Sequence, residues 1–271
     1  MILSLVSVLR LACYGMATYF LARHLQGPDS KARDKGTAAL AAGLSLGAGI
    51  LAWRAGLAGA LPLFTRFDLL GLFAFTVSVA FLILLWQRPV HALGAVILPV
   101  PLAALALGLV PGPFPQNIPP SLQNPWVGGH VVLFFLAYSA LLLGFGLGFL
   151  YLILERQLKK KKISVFFFRL PPLEELDQSL GRSETLGFIC LTAAIAVAER
   201  GFRASGIAWT LDPKMAAIFA TWAVYAIYLF LRLARGWRGR RSALFSVCAF
   251  ILVLIAFLGI EIFLPGHGRK T

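Results

Sequence analysis

An all-α integral membrane protein, a bundle of about eight transmembrane helices with both termini on the external side, is the fold this sequence predicts. Three observations carry it. The 271 residues are 59% hydrophobic and only 13% charged, with a mean hydropathy of +0.82, which is more apolar surface than a globule of this size hides from water. Apolar stretches near the length needed to cross a bilayer recur along the whole chain, since roughly 20 residues at about 1.5 Å each span a hydrocarbon core of about 30 Å. Basic residues gather between alternate stretches. The formal charge of +14 would suggest nucleic acid in a soluble domain; here it marks the loops that stay in the cytoplasm against anionic lipid, and no nucleic-acid partner is expected.

The first stretch, Ile2 to Ala22, has no basic run ahead of it and carries Arg10 within it, so it reads as a span rather than a cleaved signal. The others run Thr37 to Ala58, Leu69 to Trp86, Ala92 to Val110, Val127 to Leu154, Thr185 to Phe202, Lys214 to Leu233 and Ala243 to Leu264. Residues 1–271 are therefore read as a single membrane domain, multi-pass in the cell membrane. Most of the 25 Lys and Arg residues fall in the first, third, fifth and seventh connections, including Lys31, Arg33 and Lys35, Lys159 to Lys162, and Arg232 to Arg241. Those connections are assigned to the cytoplasm, and the connections holding Arg66, Pro111 to Trp126 and Gly201 to Pro213 to the outside.

The run Lys159 to Lys162 suits a stop signal on anionic lipid and, alternatively, a docking site for an acidic partner. Behind Pro171 and Pro172, the leucines of Leu173 to Leu180 recur at three and four residues, as in a short helix lying at the headgroup level. Cys13, Cys190 and Cys248 are isolated in apolar runs and offer neither a disulfide framework nor a redox pair.

The four histidines divide between the two faces: His24 and His91 at cytoplasmic ends of spans, His130 and His267 at external ones. Trp126, His130, Phe134 and Tyr138 recur every four residues and so share one helix face. A packing stripe and a cofactor cleft both produce this spacing. The imidazole favours the cleft, because a histidine among flat rings at the bilayer edge suits an axial ligand of a planar, apolar macrocycle whose propionates face water. Asp212 and Pro213 have the chemistry of a helix N-terminus, whereas Trp209 upstream of them is free to supply an apolar wall. Trp222, Tyr225 and Tyr228 continue an aromatic side, with interfacial anchoring as the ordinary reading for at least one.

Charges within spans are costly: Arg10, Arg54, Glu199, Arg200 and Glu261. Mutual neutralisation accounts for Glu199 and one arginine; a remaining arginine suits a propionate. A GxxxxGK[ST] phosphate loop, a CxxCH haem attachment motif and HExxH are all absent from the sequence.

The second half resembles the cytochrome c assembly family of CcsA and CcmC proteins. The resemblance lies in Pro125-Trp126 with His130, Leu150-Tyr151-Leu152 with Glu155 to Lys159, Arg169-Leu170-Pro171 with Leu173 to Asp177, Trp209 to Lys214, and Tyr225 to Leu229 with Arg232 and Gly236 to Gly239. It covers about Pro125 to His267. It implies a non-covalent, b-type haem held at the external face between His130 and His267, beside Trp126 and under a tryptophan-rich loop to which Trp209 and Asp212 belong, and presented to apocytochrome c or other assembly proteins. That is haem handling rather than catalysis. Leu211 and Met215 depart from the family's loop, and the short form looks more like the HemX-type branch. This implies an alternative role as a membrane regulator of tetrapyrrole synthesis acting on a cytoplasmic enzyme. A further reading is haem export from an inner site at His24 and His91 to the outer one.

Overall fold

In the computed structural model the described residues are 2–27, 30–109, 124–161, 170–204 and 213–263, with side chains described for these except at 202, 204, 214 and 256–263. They form helices α1 (Ile2–Gln26), α2 (Ser30–Ala58), α3 (Arg66–Gln87), α4 (Ala92–Ile97), α5 (Pro99–Leu107), α6 (Pro125–Lys159), α7 (Leu173–Ala204), α8 (Pro213–Ala234) and α9 (Arg240–Phe263). No strand occurs among the described residues. Six of the helices are long and apolar enough to cross a membrane by length and composition. Together with α9 and the α4–α5 pair they correspond one to one with the eight expected spans.

The fourth span is broken. Pro99 and Pro101 have no amide hydrogens, and a proline ring inside a helix collides with the carbonyl four residues back. The helix accordingly stops at Ile97 and restarts at Pro99, with Leu98 bridging through its amide to Gly94 at 3.0 Å.

The sixth span corrects one expectation. Leu173 to Leu180 is not a separate interfacial helix but the opening of α7, a continuous helix of 32 residues. Nothing between Leu180 and Thr185 breaks a helix, and Leu176 and Leu180 are fully buried in the core rather than laid on a headgroup surface.

Close helix approach depends on small residues, since hydrocarbon supplies no hydrophobic drive to push helices together. Gly36, Gly43 and Gly47 of α2 face Leu21, Tyr14 and Arg10 of α1; a Cβ at Gly43 would stand 2.9 Å from the Tyr14 ring. Antiparallel α6 and α7 repeat the device: Gly187 meets Leu141, Gly144 meets Glu184, and Gly201 meets Trp126. The core joining both halves contains Tyr14, Phe81, Leu93, Leu141, Leu147 and Tyr225.

At the end of the bundle expected to face the cytoplasm the charges are tied down. Arg232 forks onto Asp177 at 2.9 and 3.2 Å and donates to Ser242. The amide of Gly239 donates to the same carboxylate at 2.8 Å, at a φ of +64° that favours glycine. This clasp joins the start of α7 to the α8–α9 turn, so the Gly236 to Gly239 segment serves as structure. Tyr225 and Tyr228 are buried core residues here, not interfacial anchors, and the Tyr228 hydroxyl is bound to Ser242 at 2.7 Å. Trp222 instead donates its indole N–H to Thr192 on α7 at 3.0 Å.

Candidate haem-ligand face at the external end

The start of α6 sets the site. Asn124 caps it, its side-chain oxygen accepting from the Trp126 amide at 3.0 Å, and Pro125 occupies a first-turn position that needs no amide hydrogen. From that start the four-residue repeat carries Trp126, His130, Phe134 and Tyr138 down one side. The His130 and Phe134 rings are 5.9 Å apart, and those of Phe134 and Tyr138 are 4.4 Å apart. Trp126 is partly exposed at the outer end, where Gly201 of α7 passes against it.

His130 is half-buried and its Nδ1 lies 2.9 Å from the carbonyl oxygen of Ala194 on α7. A carbonyl only accepts, so this contact requires the proton on Nδ1 and leaves the lone pair on Nε2. An imidazole with its far nitrogen bound to a backbone carbonyl has the orientation and tautomer of a metal ligand. Val197 of α7 passes here, 3.7 Å from where a Cβ on Gly129 would stand, an ordinary contact distance. Ala194 itself could not be picked out from the sequence, because its part is played by a backbone atom.

The span charges fall into local arrangements. Arg54 and Asp68, both nearly fully buried, form an ion pair with Nε and Oδ1 2.5 Å apart. Asp68 also accepts from the amide and hydroxyl of Thr65, closing a capping box on α3. Sequence reading missed this pair, although the spacing of Thr65 and Asp68 is a capping signal that could have found it. Glu199 is paired, but with Arg203 one turn along α7 at 2.5 Å rather than with an arginine of another span; Arg200 is exposed. Arg10 is buried against neutral groups, donating to the Gly71 carbonyl at 3.0 Å and standing over the Tyr14 ring. It has no carboxylate partner among the described residues. The Glu261 side chain lies outside them.

His267, Trp209 and Asp212 also lie outside the described residues. His24 and His91 are brought together, with ring centroids 6.3 Å apart and planes at 85°. Burial, then the charge of Arg33 and the neighbouring His24, hold the His91 imidazole below the ordinary histidine range. Of the basic run after α6, Lys159 is paired with Glu155 at 2.7 Å, and Lys162 lies outside the described residues. Cys13, Cys190 and Cys248 are free thiols, and Cys248 is exposed rather than buried.

Residues 63–267 match the family described as Cytochrome C assembly protein, a stretch that covers about three quarters of the chain. The chain belongs to that family. The match begins well before Pro125 and so takes in α3 to α5. Among relatives, the cytochrome c biogenesis protein CcsA of Prochlorococcus marinus (strain MIT 9515) is 30% identical over 229 residues, 76% of this chain and 73% of that protein. The CcsA of Synechococcus sp. (strain CC9902) is 31% identical over 201 residues, 65% of this chain and 66% of that protein. The CcsA of Prochlorococcus marinus (strain MIT 9215) is 33% identical over 166 residues, 54% of each chain. As a cytochrome c assembly protein with membrane-spanning helices, the chain is a multi-pass membrane protein.

Proposed function

We propose that this cytochrome c assembly protein holds a b-type haem at the external end of the bundle, with His130 and His267 as axial ligands, and hands it on during cytochrome c biogenesis. Trp209 and Trp126 supply flat walls in this reading, and Asp212 caps the helix that follows the loop. The single observation that carries it is the contact between His130 and Ala194, which leaves Nε2 as the free nitrogen beside an aromatic surface. Family membership supports the biogenesis role, and the CcsA names of the relatives point the same way.

Bound haem supplies an iron centre with two axial positions and propionates that seek water or a cation. The chain's own residues do the rest. His130 is oriented by α7, and Phe134 and Tyr138 give an apolar face beneath it. Apocytochrome c is the expected recipient, alongside other assembly proteins. Nothing in the described residues favours the tetrapyrrole-regulator reading over this one.

The test is a pyridine haemochrome and axial-ligand spectrum of the detergent-purified protein, of His130→Ala and of His267→Ala. Loss of haem or of bis-imidazole character in either variant is expected. The same haem content and spectrum in all three proteins removes the proposal.

A further inference from the structure

We propose that Glu184 is a proton-exchanging carboxyl at the centre of the α6–α9 half of the bundle, drawing its proton from the end expected to face the cytoplasm along a seam of hydroxyls through Ser242 and Tyr228, independently of the haem site. The residues reach that seam by helical register. On α8, Thr221, Tyr225, Tyr228 and Arg232 recur at four, three and four residues and share one face. On α9, Ser242 and Ser246 are one turn apart, and on α7 Asp177, Gly181 and Glu184 follow at four and three. Two glycines make the space: the Arg232 guanidinium lies over Gly181, between Asp177 and Glu184, and the Glu184 carboxyl lies over Gly144 of α6.

Burial deepens along the seam. Arg232 and Asp177 keep side-chain exposures of 13% and 9%, whereas Ser242, Ser246, Tyr225 and Glu184 are fully buried and Tyr228 nearly so. Arg232 holds Asp177 and donates to Ser242 at 2.6 Å, and Ser242 is 2.7 Å from the Tyr228 hydroxyl. Tyr228 and Tyr225 both interact electrostatically with Glu184, whose Oε1 accepts from Ser246. Glu184 Oε2 and the Tyr225 hydroxyl have no hydrogen-bond partner among the described residues, so each has capacity for one more bond. Towards the external end the seam passes Tyr138 and Thr221 and then meets the ring of Phe134, 4.4 Å from that of Tyr138, which carries no proton to exchange.

An ionisable group at this depth is costly, and a glutamine would accept the same bond from Ser246 without that cost. What the carboxyl adds is a proton it can give up. Tyrosine and serine hydroxyls both donate and accept, so each hands its hydrogen on while taking another; only O–H bonds break and form, and nothing is oxidised. The charge facing Glu184 from α8 is Arg232, which favours the transient carboxylate and is itself balanced by Asp177 of α7. The other titratable groups beside it are Tyr225 and Tyr228 of α8, with Tyr138 of α6 beyond Tyr225; among the described residues α9 supplies the hydroxyls of Ser242 and Ser246. Arg232 does not carry the proton, since a guanidinium keeps its own.

The test is infrared spectroscopy of the full chain in detergent at neutral pH, following the carboxylic acid C=O stretch after transfer from light to heavy water. A band is expected that is lost in Glu184→Gln and moves to lower frequency in heavy water. Labelling with isotopic glutamate assigns it to a glutamate in the unaltered protein, a readout that does not depend on a variant folding. The shift should be slower by at least about tenfold in Tyr228→Phe and unchanged in Thr221→Val. Absence of the band, which would make Glu184 a fixed anion beside Arg232, overturns the proposal. So does a band that does not move in heavy water, one that moves at the same rate in Tyr228→Phe, or one slowed by Thr221→Val instead, which would place proton entry at the external end.

Discussion

His130 donates its Nδ1–H to the Ala194 carbonyl 2.9 Å away, so one side chain both ties α6 to α7 and presents its second nitrogen away from that bond. The two duties are separable. Asparagine at this position keeps an N–H near Nδ1 but has no atom in the place of Nε2. His130→Asn is expected to retain thermal stability in detergent to within about 1 kcal/mol, the value of one hydrogen bond, while losing haem. If His130→Asn binds haem as the unaltered protein does, His130 is a packing residue and not a ligand.

Arg54 and Asp68 test whether a charge in the outer half of a span is structural. Removing one partner leaves the other buried and uncompensated, a cost of about 3–5 kcal/mol. Asp68→Asn and Arg54→Met should each lower the unfolding midpoint sharply. Arg54→Met with Asp68→Leu should recover much of the loss, although the Thr65 cap stays broken. Single variants as stable as the parent would show that the pair is hydrated in the bilayer rather than buried.

Gly144 and Glu184 are coupled sterically. A Cβ at residue 144 would collide with the Glu184 carboxyl, whose other contact is the Ser246 hydroxyl. Gly144→Ala is expected to cost about 1–3 kcal/mol, as overpacking does. In a Glu184→Ala background the same change should cost clearly less. Additive effects in this double-mutant cycle would separate the two residues.

The orientation of the bundle is open to chemical labelling. With Cys13, Cys190 and Cys248 replaced by serine, Arg66→Cys should react with a membrane-impermeant maleimide from outside intact cells. Lys160→Cys should react only after permeabilisation. Both positions are exposed, so access is decided by the membrane. The reverse pattern would invert the topology and carry His130 to the cytoplasm.

Much of the fold was legible because a bilayer imposes a simple rule: a span must be long, apolar and internally hydrogen-bonded. The eight traverses followed from that rule, whereas the break of the fourth at Leu98, between Ile97 and Pro99, came only with the structure. Leu173 to Leu180 was read differently because its three-and-four leucine spacing suits a surface helix and a core helix equally. Only the clasp of Arg232 and Gly239 on Asp177 draws that segment into the bundle. Which of Trp222, Tyr225 and Tyr228 sits at the interface was left open for the same reason: an aromatic side chain suits the interface and the interior alike, and its neighbours choose.

The external face was half legible. The stripe from Trp126 to Tyr138 is periodic and therefore visible in one dimension, whereas Asp68 was missed although it follows Thr65 at the spacing of a capping box. Two matters were not visible. The tautomer of His130 depends on a backbone oxygen 64 residues away, and the meeting of His24 with His91 depends on Leu21 finding Gly94. By itself the sequence determined that this is a multi-pass membrane protein, where its spans fall and which family it resembles, because those properties are written in composition, length and local order. Which charges neutralise which, which nitrogen of His130 is left to bind and which histidines meet were decided only by the tertiary structure. Each depends on a distance between helices remote in the chain, and a helix reveals only its own periodicity until another is packed against it.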